Sequence, residues 1–410
     1  MINLSDKKFI QEIQEIREKF PELIHNTPLD YSTTFSKKTN NEIYLKLENF
    51  QKTGSFKIRG AYNKISRLSS EERQRGVITA SAGNHGQAVA FAASLFNIES
   101  VVVVPEGAPI VKIEAIKNYN PQGQVLEFGR TYDDAYDKAN ELKEEENYTF
   151  IQAYNDIDII KGQATLGFEI LNQVSDIDYI FCPIGGGGLI SGISSYVKKK
   201  NPDIKVIGVQ SENAHSMYTS FKKNDLINTK MRDTICDGIA VKRPGDLTFN
   251  LINKYVDDIV LVSDEEVAKA ILLLLERAKT FVEGAGAVSL AAIYFKKIKI
   301  ENKKIVAVIS GGNLTPNLLN LIIGKGLIKA GRLVKFKTEI PDAPGELLKV
   351  LTIIAQEKGN IVSIEHDRLS LDVGYKTTEV IIELETRNQK HIDRILKKLN
   401  QSYSVKVTEF

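Results

Sequence analysis

From about residue 43 to residue 325, short runs of β-branched residues alternate with longer segments whose apolar positions recur at helical spacing. Strands are expected at "EIYLKL" (42–47), "GVITA" (76–80), "SVVVVP" (100–105), "YIFCPI" (179–184), "KVIGVQ" (205–210) and "KIVAVIS" (304–310). Several of these runs end on glycines and lead straight into a helical pattern. Such a rhythm predicts a parallel sheet covered by helices on both faces, and in open α/β sheets ligands bind at the carboxyl ends of the strands.

After about Gly331 the rhythm changes. "RLVKFKTEI" alternates as a strand, and "DAPGELLKVLTIIAQEKG" reads as a helix with Pro344 and Gly345 at its start and Gly359 at its exit. Then come "NIVSIEHDRL", "TTEVIIELET", a helix from about 388 to 400, and "SVKVTEF". The order β-α-β-β-α-β is the ferredoxin-like unit. Domains are therefore expected at 1–330 and 331–410.

Composition adds exclusions. The 410 residues are 42% hydrophobic and 26% charged, enough for a substantial core in two or three domains. The 54 basic and 52 acidic residues are interspersed, giving a formal net charge of +2 and no field that argues for nucleic acid or a membrane surface. The "KKK" at 198–200 suits a helix end. Cys182 and Cys236 form neither a disulfide framework nor a metal pattern, which fits a reducing cytoplasm. The start, "MINLSDKKFIQEIQEIREKF", is a charged amphipathic helix rather than a signal peptide, and no run approaches the roughly 20 apolar residues that span a bilayer.

Three strand-to-helix loops can carry chemistry. "PIGGGGLISG" (183–192) offers successive backbone N–H groups and a helix N-terminus near Leu189, a cradle for phosphate. A merely flexible turn is the plainer alternative, but four glycines impose an entropic cost that a simple connection does not require. It is neither a Walker A loop nor a dinucleotide-binding turn. "ASAGNHGQAVA" (80–90) presents Ser81, Ala82, Gly83, Asn84 and His85 at a helix start, suited to a carboxylate or to ordinary capping. "VISGGN" (308–313) places a hydroxyl, two glycines and an amide at a third strand end. Lys57, in "ENFQKTGSFKIRGAYNK" (48–64), is on its own context one more solvated lysine among 54 basic residues.

"SFKIRGA", "SAGNHGQ", "GGGGLISG", "DGIAVKRPG", "EGAGA" and "SGGN" stand in the order and spacing of threonine dehydratases, pyridoxal-phosphate (PLP) enzymes of the tryptophan synthase β-like fold. The resemblance covers about residues 25–325 and implies an α/β fold, PLP fold type II, with parallel sheets. The tail resembles an ACT domain through "DAPGELLKVL" and its element order, implying a ferredoxin-like βαββαβ module that senses an amino-acid or nucleotide effector.

By that resemblance Lys57 attaches PLP and removes the substrate's α-proton, with Phe56 packing beside it and Arg59 helping to depress its pKa. Gly185, Gly186, Gly187, Gly188 and Leu189 hold the phosphate, Asn84 bonds the ring oxygen and Ser310 faces the pyridine nitrogen. Ser81, Ala82, Gly83, Asn84 and His85 hold the substrate carboxylate. The implied reaction converts L-threonine to 2-oxobutyrate and ammonia, and L-serine to pyruvate and ammonia. Alternatives within the fold are serine dehydratase, racemase or synthase chemistry, and outside enzymology a silent amino-acid sensor.

Departures narrow the choice. Serine racemases carry a second serine where this chain has Ala82, and divalent-ion carboxylates where it has Gln210 and Ser216, so racemisation is not expected as the main activity and no divalent site is expected, a monovalent ion staying open. Cysteine synthases lack the equivalent of His85. A cytoplasmic homo-oligomer, dimer or tetramer, is expected, with a role in isoleucine biosynthesis or threonine catabolism.

Overall fold

The computed structural model describes residues 6–368 and 374–410. The first five residues of the amphipathic start and Leu369, the last residue of the "NIVSIEHDRL" run, lie outside them. The chain forms two compact units, Met1–Leu314 and Thr315–Phe410.

In the first unit every expected strand forms, but the strands are shared between two sheets rather than joined in one. The larger runs in the order Leu29–Tyr31, Glu42–Leu47, Lys304–Ile309, Tyr179–Pro183, Lys205–Ser211, Asp258–Val262, and is parallel except for its first pair. The smaller is wholly parallel, in the order Gln124–Glu127, Ser100–Val104, Val77–Ala80, Thr149–Phe150. Four of these strands escape the sequence pattern. Leu29–Tyr31, Gln124–Glu127 and Thr149–Phe150 are two to four residues long and only partly buried, while Asp258–Val262 begins on the second residue of the acidic pair Asp257–Asp258, which reads as loop.

The easily read strands are those covered on both faces. Ser100–Val104 is buried at every position, which explains its unbroken valines. The helix Gly284–Tyr294, "GAGAVSLAAIY", is apolar on all sides and buried from Gly284 to Ile293 because it packs on the larger sheet. Another close contact brings the helix Lys57–Ser66 against Ile157–Gln173: a Cβ at Gly162 would lie 2.4 Å from the Arg59 carbonyl, so only glycine allows this approach.

The second unit opens with the helix Pro316–Lys329 and continues with the anticipated β-α-β-β-α-β order. Its antiparallel sheet runs Asn360–Asp367, Thr377–Glu385, Leu333–Pro341, Val405–Thr408. Val334, Phe336 and Ile340 alternate inward with Val380, Ile382 and Leu384, meeting Val350, Ile354, Ile392, Ile395 and Leu399 from two helices. Gly345, at φ +92°, caps the helix Glu346–Gln356.

Candidate active site

Strands Glu42–Leu47 and Lys304–Ile309 are parallel neighbours, so the chain segments that leave their carboxyl ends emerge side by side. Those segments are joined directly: Ser55 bridges Gly311, Phe56 N donates to the Ser310 carbonyl at 3.1 Å, and Gly312 N donates to the Gly54 carbonyl at 2.9 Å. Lys57 then begins its helix beside Ser310, a pairing of residues 253 positions apart that no local pattern reveals.

Lys57 Nζ donates to the Ala153 carbonyl at 3.0 Å and lies 5.3 Å from the centre of the Phe56 ring. Burial lowers its pKa to about 8, against the upward pull of Glu283. Ser310 is buried, and its hydroxyl donates weakly to the Ala285 carbonyl at 3.4 Å.

Gly185, Gly186, Gly187 and Gly188 form a walled cradle at the end of Tyr179–Pro183. A Cβ at Gly185 would meet the Ile239 Cα at 3.0 Å, one at Gly186 the Tyr154 ring at 2.4 Å, and one at Gly188 the Tyr154 Cα at 3.0 Å. Gly187 lies at φ +96° and caps the helix Gly188–Lys200. The amides of that helix's first turn, Leu189 included, have no intrahelical acceptor and point out of its N-terminus.

The helix Asn84–Leu95 starts from Gly83, whose N–H donates to Ser81 Oγ at 3.2 Å. Asn84 Nδ2 donates to Glu283 Oε1 at 2.6 Å, and Asn84 Oδ1 accepts from Asn313 Nδ2. The Asn loop, the "EGAGA" turn and the "SGGN" loop therefore meet at one amide. Burial raises the Glu283 pKa to about 7, with Asp237 adding to the rise and Asn84 and Lys112 opposing it. His85 is buried with Nε2 at 2.9 Å from the Ile151 carbonyl. Burial, aided by the Lys57 charge, lowers its pKa to about 3, so the ring is neutral and its Nε2–H donates to that carbonyl.

Arg59 does not help Lys57. Its guanidinium is fully buried and bonded to Glu48 at 2.7 and 2.9 Å and to Glu169 at 2.8 Å, a cluster that Lys46 joins through Glu169 at 2.8 Å. Burial alone would depress the Arg59 pKa, but these two carboxylates raise it above its ordinary value. Desolvation, not Arg59, lowers Lys57.

Glu283, Asn313 and Tyr154 are site residues to which the sequence pattern assigns no role. Glu283 and Asn313 stand inside "EGAGA" and "SGGN", where a charged or amide side chain among glycines is the available signal. Tyr154 follows the two-residue strand Thr149–Phe150 and carries no signal in its surroundings. Gln210 bonds the Ile184 carbonyl at 3.2 Å and the Tyr218 N–H at 2.7 Å, and Ser216 donates to the Val241 carbonyl at 2.7 Å. Among the described residues no group of three or more His, Cys, Asp or Glu is placed to hold a metal ion.

Residues 21–311 match the model of the pyridoxal-phosphate dependent enzyme family, and residues 331–408 match that of the ACT domain. The chain is 46% identical over 399 residues to an L-threonine ammonia-lyase of Thermotoga maritima, covering 97% of this chain and 99% of that one. It is 43% identical to an L-threonine ammonia-lyase of Geobacter sulfurreducens, covering 94% and 96%. Its fold is similar to the processed form of threonine deaminase isoform 2 from Solanum lycopersicum, with TM-score 0.74 and 36% identity over 78% of this chain and 94% of that one. Maize serine racemase is also similar, with TM-score 0.72 and 35% identity over 78% and 98%. The glycine cradle that excludes side chains, the desolvated lysine and the orienting amide fit PLP as a donor set. The chain belongs to the pyridoxal-phosphate-dependent enzymes of fold type II, in their threonine ammonia-lyase branch, and carries a C-terminal ACT domain.

Proposed function

We propose that this chain converts L-threonine to 2-oxobutyrate and ammonia by PLP-dependent β-elimination, and L-serine to pyruvate and ammonia by the same chemistry. The observation that carries this reading is the 46% identity to an L-threonine ammonia-lyase along nearly the whole length. A low-pKa lysine whose chain segment bridges the "SGGN" loop, which in turn bonds the amide of Asn84, supports it.

Lys57 is the residue to hold PLP covalently, with Phe56 packed beside it. The cradle of Gly185, Gly186, Gly187, Gly188 and Leu189 is assigned to the phosphate, Asn84 to the ring oxygen and Ser310 to the ring nitrogen. When bound, PLP supplies an electron sink for the pair released at the substrate's α-carbon, and a serine rather than an acid at the ring nitrogen keeps that sink shallow. The backbone around Ser81, Ala82, Gly83, Asn84 and His85, at a helix start, is assigned to the substrate carboxylate. Lys57 Nζ, neutral in part at physiological pH, accepts the α-proton. His85 stays neutral and structural, bonded to Ile151. At position 82 an alanine offers no acid to return a proton from the opposite face, which favours elimination over racemisation.

Residues 1–330 are assigned to catalysis and 331–410 to regulation. The tail is proposed to bind an amino-acid effector, isoleucine or valine, or a nucleotide, within a cytoplasmic dimer or tetramer. Among the described residues no helix is long and apolar enough to cross a membrane. Lys57→Ala tests the reading: 2-oxobutyrate formation from threonine is expected to disappear, and unimpaired formation overturns it.

A further inference from the structure

Asn84 has two amide hydrogens and one carbonyl oxygen to place. Asn313 Nδ2 occupies Oδ1 and is itself anchored at 3.2 Å on the Thr53 carbonyl, so the oxygen side of the amide is fixed. Glu283 Oε1 takes one hydrogen at 2.6 Å. One N–H is left, and it can only donate.

Glu283 is placed for this by its backbone and by the glycines around it. It caps the helix Gly284–Tyr294 by backbone conformation alone, with no capping bond from its side chain, and its N–H donates to the Gly311 carbonyl at 3.1 Å. A Cβ at Gly311 would lie 2.2 Å from Glu283 Oε1, so the carboxylate is wedged into space that only glycine leaves open. Glu283 is 5% exposed. A buried carboxylate is costly unless it is hydrogen-bonded, and the Asn84 amide supplies one such bond.

We propose that Glu283 is a positioning residue for the cofactor: by holding one Asn84 hydrogen it turns the other toward the ring oxygen of PLP. This rests on the assignment of Asn84 to that oxygen. A donor fixed there meets the ring oxygen only as an acceptor, so the pair selects the protonation form of the bound chromophore as well as its orientation. Glu283 touches neither substrate nor reacting atoms in this role and acts through Asn84.

The experiment is a PLP titration of the apoprotein, followed by the absorbance spectrum of the loaded protein, for the native chain, N84A, E283M, E283Q and N84A/E283M. N84A and E283M are each expected to weaken PLP binding roughly tenfold, the scale of a lost hydrogen bond to a charged group, and to shift the absorbance band alike. The double variant should bind no more weakly than N84A alone, because Glu283 acts through Asn84. Glutamine keeps an acceptor oxygen, so E283Q should restore affinity to within about threefold of native. Should E283M fail to fold, E283L takes its place in the comparison with E283Q. Additive losses in the double variant, or a native spectrum and affinity in E283M, overturn the role of Glu283. Native affinity and spectrum in N84A instead overturn the assignment of Asn84 on which it rests.

Discussion

Arg59 Nη1 donates to Glu169 Oε1 at 2.8 Å, across 110 positions of sequence, so a residue two places from Lys57 carries its charge into the protein interior. That bond and the Glu48 pair at 2.7 Å lock the helix bearing Lys57 to Ile157–Gln173 and to the end of the strand Glu42–Leu47. Arg59 acts on the site through the position of that helix, not through electrostatics at Lys57.

Removing the guanidinium leaves two buried carboxylates short of a partner. R59M is expected to destabilise the first unit by about 3–5 kcal/mol, read as a lower urea midpoint with an unchanged slope. Adding E48Q to R59M should recover part of the loss, because a neutral amide needs no counter-charge. A cluster of no energetic consequence would leave all three midpoints alike.

Acid should loosen the same cluster. Burial opposes ionisation of Glu169, but Arg59 and Lys46 hold its folded pKa at about 2. A group depressed in the folded state contributes stability above its unfolded pKa and loses it as pH falls toward the folded value. The expected loss runs from about pH 4.5 down to about 2, and E169Q should flatten that part of the stability profile, measured by urea titration at each pH.

At Lys57 the sign is reversed. Its folded pKa, about 8, lies below the ordinary lysine value of 10.5, so the folded chain sheds this proton first and stability of the apoprotein rises between those values. Near pH 7.5 about a quarter of the lysine is neutral, against about one part in a thousand for an ordinary lysine. Capture of PLP by the apoprotein is expected to rise with an inflection near pH 8. An inflection at an ordinary lysine value would refute this.

The strands covered on both faces were legible because burial makes them unbroken apolar runs, as at Val101, Val102, Val103 and Val104. Their division into two sheets was not, because pairing partners are chosen by tertiary packing. The same limit applies at the site. Glycine loops announce themselves through backbone requirements, so Gly187 could be read directly. Glu283 and Tyr154 acquire their meaning only when Gly311 and Gly186 leave room for them. Proximity in sequence suggests that Arg59 acts on the Lys57 pKa, but it says nothing about direction: helix geometry turns residues two apart to different faces.

The glycine cradle can be tested without touching a charged group. Gly187→Ala imposes a left-handed backbone on a residue with a Cβ, costing about 1–2 kcal/mol, and presses that Cβ to 2.9 Å from Ile252 Cδ1 and 3.0 Å from Met217 Cε. PLP affinity of the apoprotein should fall with stability. Gly107→Ala meets nothing within 4 Å and serves as the comparison, with affinity and urea midpoint unchanged. Equal behaviour of the two variants would remove the special status of the cradle.

The proposed regulatory role of the tail predicts a separable defect. Phe336 is fully buried among Ile340, Val350, Ile382 and Ile395 in the core of the second unit. Phe336→Ala removes its ring from that core at a cost of about 3–5 kcal/mol, comparable with what a small module of this kind has to spend. Regulation needs an effector that binds two states unequally, and a loosened tail offers it no ordered state to prefer. Threonine saturation curves measured with and without isoleucine should therefore differ in the native chain and coincide in F336A, while the curve without isoleucine keeps its maximal rate. An isoleucine response that survives F336A at full size places the effector elsewhere than in the folded tail.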